Sequence, residues 1–151
     1  MKLFATALCF FLTVLAASSQ TTPEDSVKLA IGKFFTSIRN SDGIGFRQAF
    51  MDTATYINMN VGQSGEPVMR ATSIMELALL FSSARGYDPR IGFDMVKVSG
   101  FLASAWVPFK LYVNGQQTYC AVASIQMIRV KGVWKIQYYI DRKVSCQGSL
   151  L

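Results

Sequence analysis

Carboxylates and tyrosines are the side chains of this 151-residue chain that could transfer protons, because the sequence contains no histidine. The lack of His excludes a His general base, a His-containing catalytic triad and His metal ligands. The available carboxylates are those of Asp52, Glu66, Asp94 and Asp141. A carboxylate base beside a tyrosine hydroxyl that stabilises an oxyanion is one arrangement for acid–base catalysis without His.

The candidate catalytic residues are Tyr138, Tyr56 and Asp52. Asp52 directly precedes a predicted strand, where a solvated or turn-capping role is the more usual one. Asp141 is odd-numbered in a predicted strand, so alternation directs it away from Tyr138 and towards a neighbouring cation. Since no carboxylate is predicted to face a tyrosine, we expect a binding protein rather than an enzyme.

Cofactor and metal sites are not indicated by the remaining residues. Two separated cysteines, Cys120 and Cys146, do not make a metal-ligand cluster. The glycines are spread through turns and form no phosphate-binding loop. We therefore expect no metal and no cofactor.

The segment 93–142 reads as three long antiparallel strands that would have to position these side chains. Asn114-Gly115 and Lys131-Gly132 separate runs rich in Val, Ile, Tyr, Phe and Trp. Asn-Gly favours a two-residue hairpin turn, whose central residues need positive φ. The expected strands are 106–113, 118–130 and 134–142.

The two turns fix a register, if neither hairpin contains a bulge, although Pro108 favours one nearby. Pairing Val130 with Val133 sets Ile125 opposite Tyr138, and pairing Val113 with Gln116 sets Trp106 beside Ala123. One face then mixes small residues with large aromatic ones, which leaves room for a cavity. The predicted pocket residues, which share that face with Trp134, are Leu102, Ser104, Trp106, Ala121, Ala123, Ile125, Met127, Ile136, Tyr138 and Ile140.

Two alternatives remain open for the faces of this sheet. Helices could fill the space above the first face completely, which is the usual fate of an aromatic-rich surface. The opposite face would form a homodimer interface. Its predicted members are Cys120, Val122, Ile128, Val107 and Phe109.

Three helices are predicted before the long sheet. Thr22 and Pro23 begin the first, whose apolar stripe is Val27, Ile31, Phe34, Phe35 and Ile38. The second covers 44–51, and the third begins at the cap Ser73 and ends before Gly86. Residues 53–60 and 67–70 have strand character, and Asp88-Pro89 predicts a turn.

Residues 1–19 have the pattern of a secretory signal peptide. Lys2 precedes an apolar run over 3–14, and small residues follow at 16–19. We expect cleavage near Ser19, a single domain over 20–151, and a secreted or periplasmic location without a membrane anchor. Such a compartment permits a disulfide between Cys120 and Cys146, but the predicted register leaves their pairing open.

The net charge of +6 is scattered along the chain rather than clustered. No basic run is interleaved with aromatic residues, so nucleic-acid binding is not expected.

The order of these elements is similar to the nuclear transport factor 2-like superfamily, which includes ketosteroid isomerases. The residues that carry the resemblance are 98–109 (VSGFLASAWVPF), 112–115 (YVNG), 119–122 (YCAV), 132–136 (GVWKI) and 140–142 (IDR). Within the superfamily the chain most resembles the branch named for lumazine binding and the polyketide-cyclase-like enzymes. The resemblance implies a cystatin-like α+β cone: three N-terminal helices on a strongly curved, mainly antiparallel sheet, with a pocket and often a dimer through the sheet.

These observations favour a secreted, non-enzymatic protein that binds a small apolar or aromatic ligand. The alternatives are an isomerase-, cyclase- or dehydratase-like enzyme that uses a carboxylate and a tyrosine, and a homodimeric interaction module.

Overall fold

The computed structural model describes residues 21–146, so the predicted signal peptide lies outside the described residues. Three helices pack against a curved, unclosed seven-stranded sheet. The helices are α1 (Pro23–Arg39), α2 (Gly43–Gln48) and α3 (Ile74–Ser83). The strands are β1 (Phe50–Val61), β2 (Pro67–Ala71), β3 (Tyr87–Ile91), β4 (Met95–Ser99), β5 (Leu102–Val113), β6 (Gln116–Val130) and β7 (Val133–Val144).

Helix α1 begins where the sequence predicts, because its first turn satisfies its own free N–H groups. The Thr22 hydroxyl accepts a hydrogen bond from the Asp25 amide at 3.1 Å, and the Asp25 carboxylate accepts one from the Thr22 amide at 3.4 Å. The predicted stripe is buried in full: Val27, Ile31, Phe34, Phe35 and Ile38. This stripe packs the helix on the inner face of the sheet, around the hydrophobic core.

Helices α2 and α3 are also capped by side chains. Asp42 accepts from the Gly45 amide at 2.8 Å, and Ser73 accepts from the Glu76 amide at 3.4 Å. Helix α2 is shorter than predicted because Phe50 already belongs to β1. The inner face of α3 contacts the core through Ala78 and its apolar neighbours.

The sheet has the strand order β2-β1-β7-β6-β5-β3, with β4 also pairing with β5. All neighbours are antiparallel except β1 and β7, which run parallel. Both predicted hairpin turns are confirmed. Asn114 and Gly115 have φ of 52° and 80°, and Lys131 and Gly132 have φ of 50° and 82°.

Two register shifts make part of the predicted pairing wrong. The predicted pairs form next to each turn, but beyond each shift the strands pair one residue away from the prediction. Met127 does lie opposite Ile136, but the next pair is Gln126 with Tyr138, which leaves Gln137 unpaired in the register. In the other hairpin Leu111 pairs with Tyr119 and Tyr112 with Gln117, so Thr118 is the extra residue. Each bulge moves every following side chain to the opposite face.

Pro108 does not cause either bulge. It pairs in register with Val122, and its carbonyl accepts a hydrogen bond from the Gly92 amide. Gly92 lies in the gap between β3 and β4, which pair with different halves of β5. A proline that cannot donate therefore sits where the neighbouring strand is interrupted.

The turn predicted at Asp88-Pro89 is wrong, because both residues belong to the edge strand β3. Proline is tolerated in an edge strand, since the sheet needs no hydrogen bond from its nitrogen there. Arg39 at the end of α1 holds this strand: its Nε donates to Asp88 Oδ1 and its Nη2 to the Pro89 carbonyl, both at 2.7 Å.

Cys120 and Cys146 form a disulfide, with their Cα atoms 5.3 Å apart. The bulge in β7 sets Cys120 opposite Val144 instead of Lys143. That shift brings the end of the chain back to β6 and decides the pairing that the sequence left open. Within residues 21–146, no helix combines the length and apolarity needed to cross a membrane.

Candidate functional site

The ten predicted pocket residues lie on two faces of the sheet, so the prediction that they share one face is wrong. Five face the buried core: Ala121, Ala123, Ile125, Met127 and Ile136. The other five lie on the outer face and are exposed or half-buried: Leu102, Ser104, Trp106, Tyr138 and Ile140. The two bulges separate these groups. Ligand contact by any of the ten stays a prediction.

The residues predicted for a dimer interface are divided in the same way. Val107 and Phe109 belong to the core, and Cys120 is fully buried. Only Val122 and Ile128 remain half-buried on the outer face, beside the more exposed Trp106. The expected composition of that face is therefore wrong, although a dimer through it stays a prediction.

The three candidate catalytic residues do not form one group. The Asp52 carboxylate points to solvent and pairs with Arg47, with 2.5 Å between Oδ1 and Nη2. Tyr56 is buried in the core, and both it and Asp52 border a depression of about 490 Å³ beside α3. Tyr138 lies on the outer face of the sheet, opposite Gln126.

Asp141 and Tyr139 instead point into the core. The bulge at Gln137 switches the face of the sheet to which each later side chain of β7 points. The Tyr139 hydroxyl donates to Asp141 Oδ2 at 3.3 Å, and the Asn58 amide donates to Asp141 Oδ1 at 2.7 Å. Tyr139 stacks on Tyr56 with ring centroids 4.5 Å apart. Asp141 does point away from Tyr138, as predicted, but its face is the core, and its hydrogen-bond partners there are Asn58 and Tyr139 rather than the predicted cation.

Asp141, Asn58, Tyr139 and Tyr56 together form what we call the Asp141 cluster. Burial controls the protonation of its carboxyl and hydroxyl groups. It raises the pKa of the Asp141 carboxyl, although the hydrogen bonds from Asn58 and Tyr139 oppose the shift. Burial, and then the nearby Asp141 charge, raises the pKa of Tyr56, and the same two causes raise the pKa of Tyr119 to about 12. The tyrosines are thus neutral hydrogen-bond donors, and Asp141 retains its proton more readily than an exposed aspartate does.

A larger opening lies between one face of α1 and the β6–β7 hairpin; we call it the α1–hairpin groove. It has a volume of about 640 Å³, within the range of small-molecule sites. The α1 residues along it recur at helical spacing: Ser26, Leu29, Ala30, Lys33, Phe34, Thr36, Ser37 and Asn40. The hairpin contributes Met127, Arg129, Gly132, Val133, Trp134 and Lys135, and the segment around α2 adds Asp42, Gly45, Gln48 and Ala49.

The indole of Trp134 forms a fixed wall of this groove. Its Nε1 donates to the Ser26 hydroxyl at 2.9 Å, which ties the hairpin to the first turn of α1. The guanidinium of Arg129 lies 5.9 Å from the indole ring. An aromatic or apolar molecule could therefore rest on an oriented ring.

The sequence signal for the groove is the second stripe of α1, beside the buried one. Lys33 and Ser37 lie along it among Leu29 and Ala30. The buried stripe alone was used to orient the helix, so this neighbouring face was missed. No comparable signal marks the Asp141 cluster, because either of the adjacent Tyr138 and Tyr139 could face inward.

Among residues 21–146, no three acidic or Cys side chains come together in a group that could hold a metal ion.

No family model matches this sequence, and no curated protein matches it. Solved structures do match over most of the chain. A domain of unknown function with a cystatin-like fold from Nostoc punctiforme is 18% identical, with a TM-score of 0.64 over 84% of this chain and 81% of that one. A nuclear transport factor 2-like protein of unknown function from Silicibacter pomeroyi is 16% identical, with a TM-score of 0.61 over 79% and 93%.

A ketosteroid isomerase-like protein from Erwinia carotovora atroseptica is 17% identical, with a TM-score of 0.58 over 81% of this chain and 96% of that one. Identities this low concern the fold alone, so the narrower resemblance to the branch named for lumazine binding stays a prediction. The chain therefore has the nuclear transport factor 2-like, cystatin-like α+β fold.

Proposed function

We propose that this protein binds a small apolar or aromatic molecule without transforming it, and that the α1–hairpin groove is its site. The observation that carries the proposal is an opening of about 640 Å³ with an oriented indole in its wall. The remaining lining combines apolar side chains, such as Leu29 and Val133, with polar side chains of α1. This mixture is typical of small-molecule sites.

Binding is favoured over catalysis because the lining of the groove contains no tyrosine and one carboxylate, Asp42. That carboxylate caps α2 through the Gly45 amide. A carboxylate–tyrosine pair of the described residues, Asp141 with Tyr139, is buried among aromatic rings elsewhere.

We also propose that the protein acts outside the cytosol, in a secreted or periplasmic location. The pattern of residues 1–19 supports export. The Cys120–Cys146 disulfide agrees with an oxidising compartment. N-terminal sequencing of the exported protein tests this: we expect a start near residue 20, and an intact Met1 would contradict it.

Titration with the neutral fluorophore phenylnaphthylamine tests the binding site. The substitution Trp106→Phe leaves Trp134 as the one indole, so quenching of tryptophan emission then reports the groove. We expect saturable quenching with a matching rise in probe emission. Leu29→Gln should weaken binding several-fold, because Leu29 supplies exposed apolar surface in the groove.

The matched control is Leu79→Gln on α3. Leu29 and Leu79 are similarly exposed, at 60% and 66%. Leu79→Gln should leave the titration unchanged, because Leu79 is outside the groove. Equal loss in both variants, or no saturable quenching in the folded protein, would reject the groove as the site.

A second candidate function is proton transfer on a small substrate, which the hydrogen bond between Tyr139 and Asp141 favours. Asp141 would take a proton from the carbon next to a carbonyl, and a neutral tyrosine would stabilise the oxyanion. The ketosteroid isomerase-like neighbour suggests β,γ-unsaturated ketones as test substrates. Absorbance of the conjugated product would follow turnover. Turnover that Asp141→Asn abolishes would support this function, and no turnover would exclude it for these substrates.

We further propose that two copies associate through the outer face of the sheet. Trp106 and Met95 are cross-strand neighbours on this face, and both are exposed. With the nearby Leu102, they supply uncharged apolar surface that a second copy would cover.

A further inference from the structure

We propose that the ligand of the α1–hairpin groove carries an acidic group, a carboxylate, sulfonate or phosphate, on its apolar or aromatic body. This inference rests on the proposed function, since it specifies the ligand class of the same groove. It starts from the charges of the lining: three cationic side chains, Lys33, Arg129 and Lys135, against the carboxylate of Asp42.

Lys33 is the cation best placed to receive an acidic group. It is exposed in the middle of the groove-facing stripe of α1, one turn after Leu29 and one turn before Ser37. Within the described part of the chain it forms no ion pair, whereas Lys28 pairs with Asp25 at 3.7 Å. The ammonium of Lys33 is therefore not paired with a carboxylate, and its charge can attract an arriving anion.

The two hairpin cations also keep their positive charge towards the groove. Arg129 donates through Nε to the Gly132 carbonyl at 3.3 Å, and Lys135 donates through Nζ to the Gln48 carbonyl. Both acceptors are neutral. These bonds therefore orient the side chains without cancelling their charge.

Asp42 offsets one of the three positive charges of the lining and leaves a net positive charge. Its Oδ1 accepts the Gly45 amide at 2.8 Å as the cap of α2, so part of its hydrogen-bonding capacity is already used. The groove thus combines an apolar wall at Leu29, Val133 and Trp134 with an excess of positive charge. An amphipathic organic anion matches both parts.

A pair of fluorophores that differ in one charged group tests the inference. Phenylnaphthylamine is neutral, and anilinonaphthalene sulfonate adds a sulfonate to the same naphthalene and phenyl rings. At low salt we expect the sulfonate to bind about tenfold more tightly, as expected for one charge-assisted hydrogen bond. Added salt should reduce this preference. Lys33→Gln should reduce the preference several-fold without changing the affinity for the neutral probe.

Lys28→Gln is the matched control, because Lys28 lies on α1 outside the groove. It should leave the preference for the sulfonate intact. Equal affinities of wild-type protein for the two probes would overturn the inference while leaving the proposed function standing. An equal effect of Lys28→Gln and Lys33→Gln would also overturn it, since general surface charge would then explain the preference. Binding of neither probe would overturn the proposed function itself.

Discussion

The side-chain amide of Asn58 donates a 2.7 Å hydrogen bond to Oδ1 of Asp141, across the one parallel pair of strands in the sheet. Asn58 and Asp141 are partners in the register of β1 and β7. The bond therefore joins the first strand of the fold to its last, and it gives a buried carboxyl one of its two side-chain donors.

Asp141→Asn should change the pH dependence of stability. The pKa of Asp141 is raised in the folded protein, so its proton stabilises the fold below the unfolded-state pKa of about 3.9. That contribution is lost as pH rises through the folded-state pKa. The Asn variant does not titrate there, so its free energy of unfolding relative to wild type should rise over this interval. Each unit by which folding raises the pKa of Asp141 adds about 1.4 kcal/mol to this change in the free energy of unfolding.

Urea unfolding between pH 4 and 8 measures the difference in free energy of unfolding between the variant and wild type. This range extends about four units above the unfolded-state pKa of aspartate. Asp94→Asn is the control, because Asp94 is exposed. A constant difference between Asp141→Asn and wild type across the range would contradict the assignment.

Phe34→Ala should destabilise the fold by about 3–5 kcal/mol. The Phe34 ring is 1% exposed and contacts four other rings, those of Phe35, Phe46, Phe50 and Tyr139. Its removal leaves a cavity where α1 meets the sheet. Phe101→Ala removes the same ring from a site that is 75% exposed and should cost well under 1 kcal/mol. Chemical denaturation of the two variants compares them, and similar losses would place Phe34 outside the core.

The disulfide should stabilise the protein by about 3–4 kcal/mol, the chain-entropy value for its separation of 26 residues. Cys146→Ser tests this without disturbing the buried Cys120, and its denaturation midpoint should fall. Thiol counting on the unfolded, unreduced wild-type protein should detect neither Cys120 nor Cys146 as a free thiol. Two reactive thiols from these residues would show that the bridge does not form.

Sedimentation of the wild-type protein at micromolar concentration should give a dimer. Trp106→Arg should give a monomer with unchanged secondary structure, because Trp106 is 46% exposed and projects from the outer face. Lys97→Arg changes an exposed neighbour of Met95 on the same face without changing its charge, and it should leave the dimer intact. Sedimentation of the wild-type protein as a monomer would contradict the proposed dimer.

Local patterns determined the helices and the two hairpins. The caps at Thr22 and Ser73 and the apolar stripe of α1 predict where the helices begin and which face they bury. Asn114-Gly115 and Lys131-Gly132 predict the turns, because their conformations depend on adjacent residues. The α+β fold class follows from this order of elements.

The inner face of β5 was predictable in part. Ala103, Ala105, Val107 and Phe109 alternate with Ser104 and Lys110, and Lys110 shares its parity with Trp106. A charged residue in that set marks it as the outer face. The predicted register contained no bulge, and it therefore set Trp106 on the inner face despite this signal.

The sequence by itself thus determined the helices, the turns and the fold class. Tertiary structure decided the two bulges, and through the bulge at Gln137 it placed Tyr139 and Asp141 in the core. It also decided the disulfide and the groove beside Trp134. A bulge depends on which pairing buries the most apolar surface across strands that are distant in sequence, and no local pattern contains that comparison.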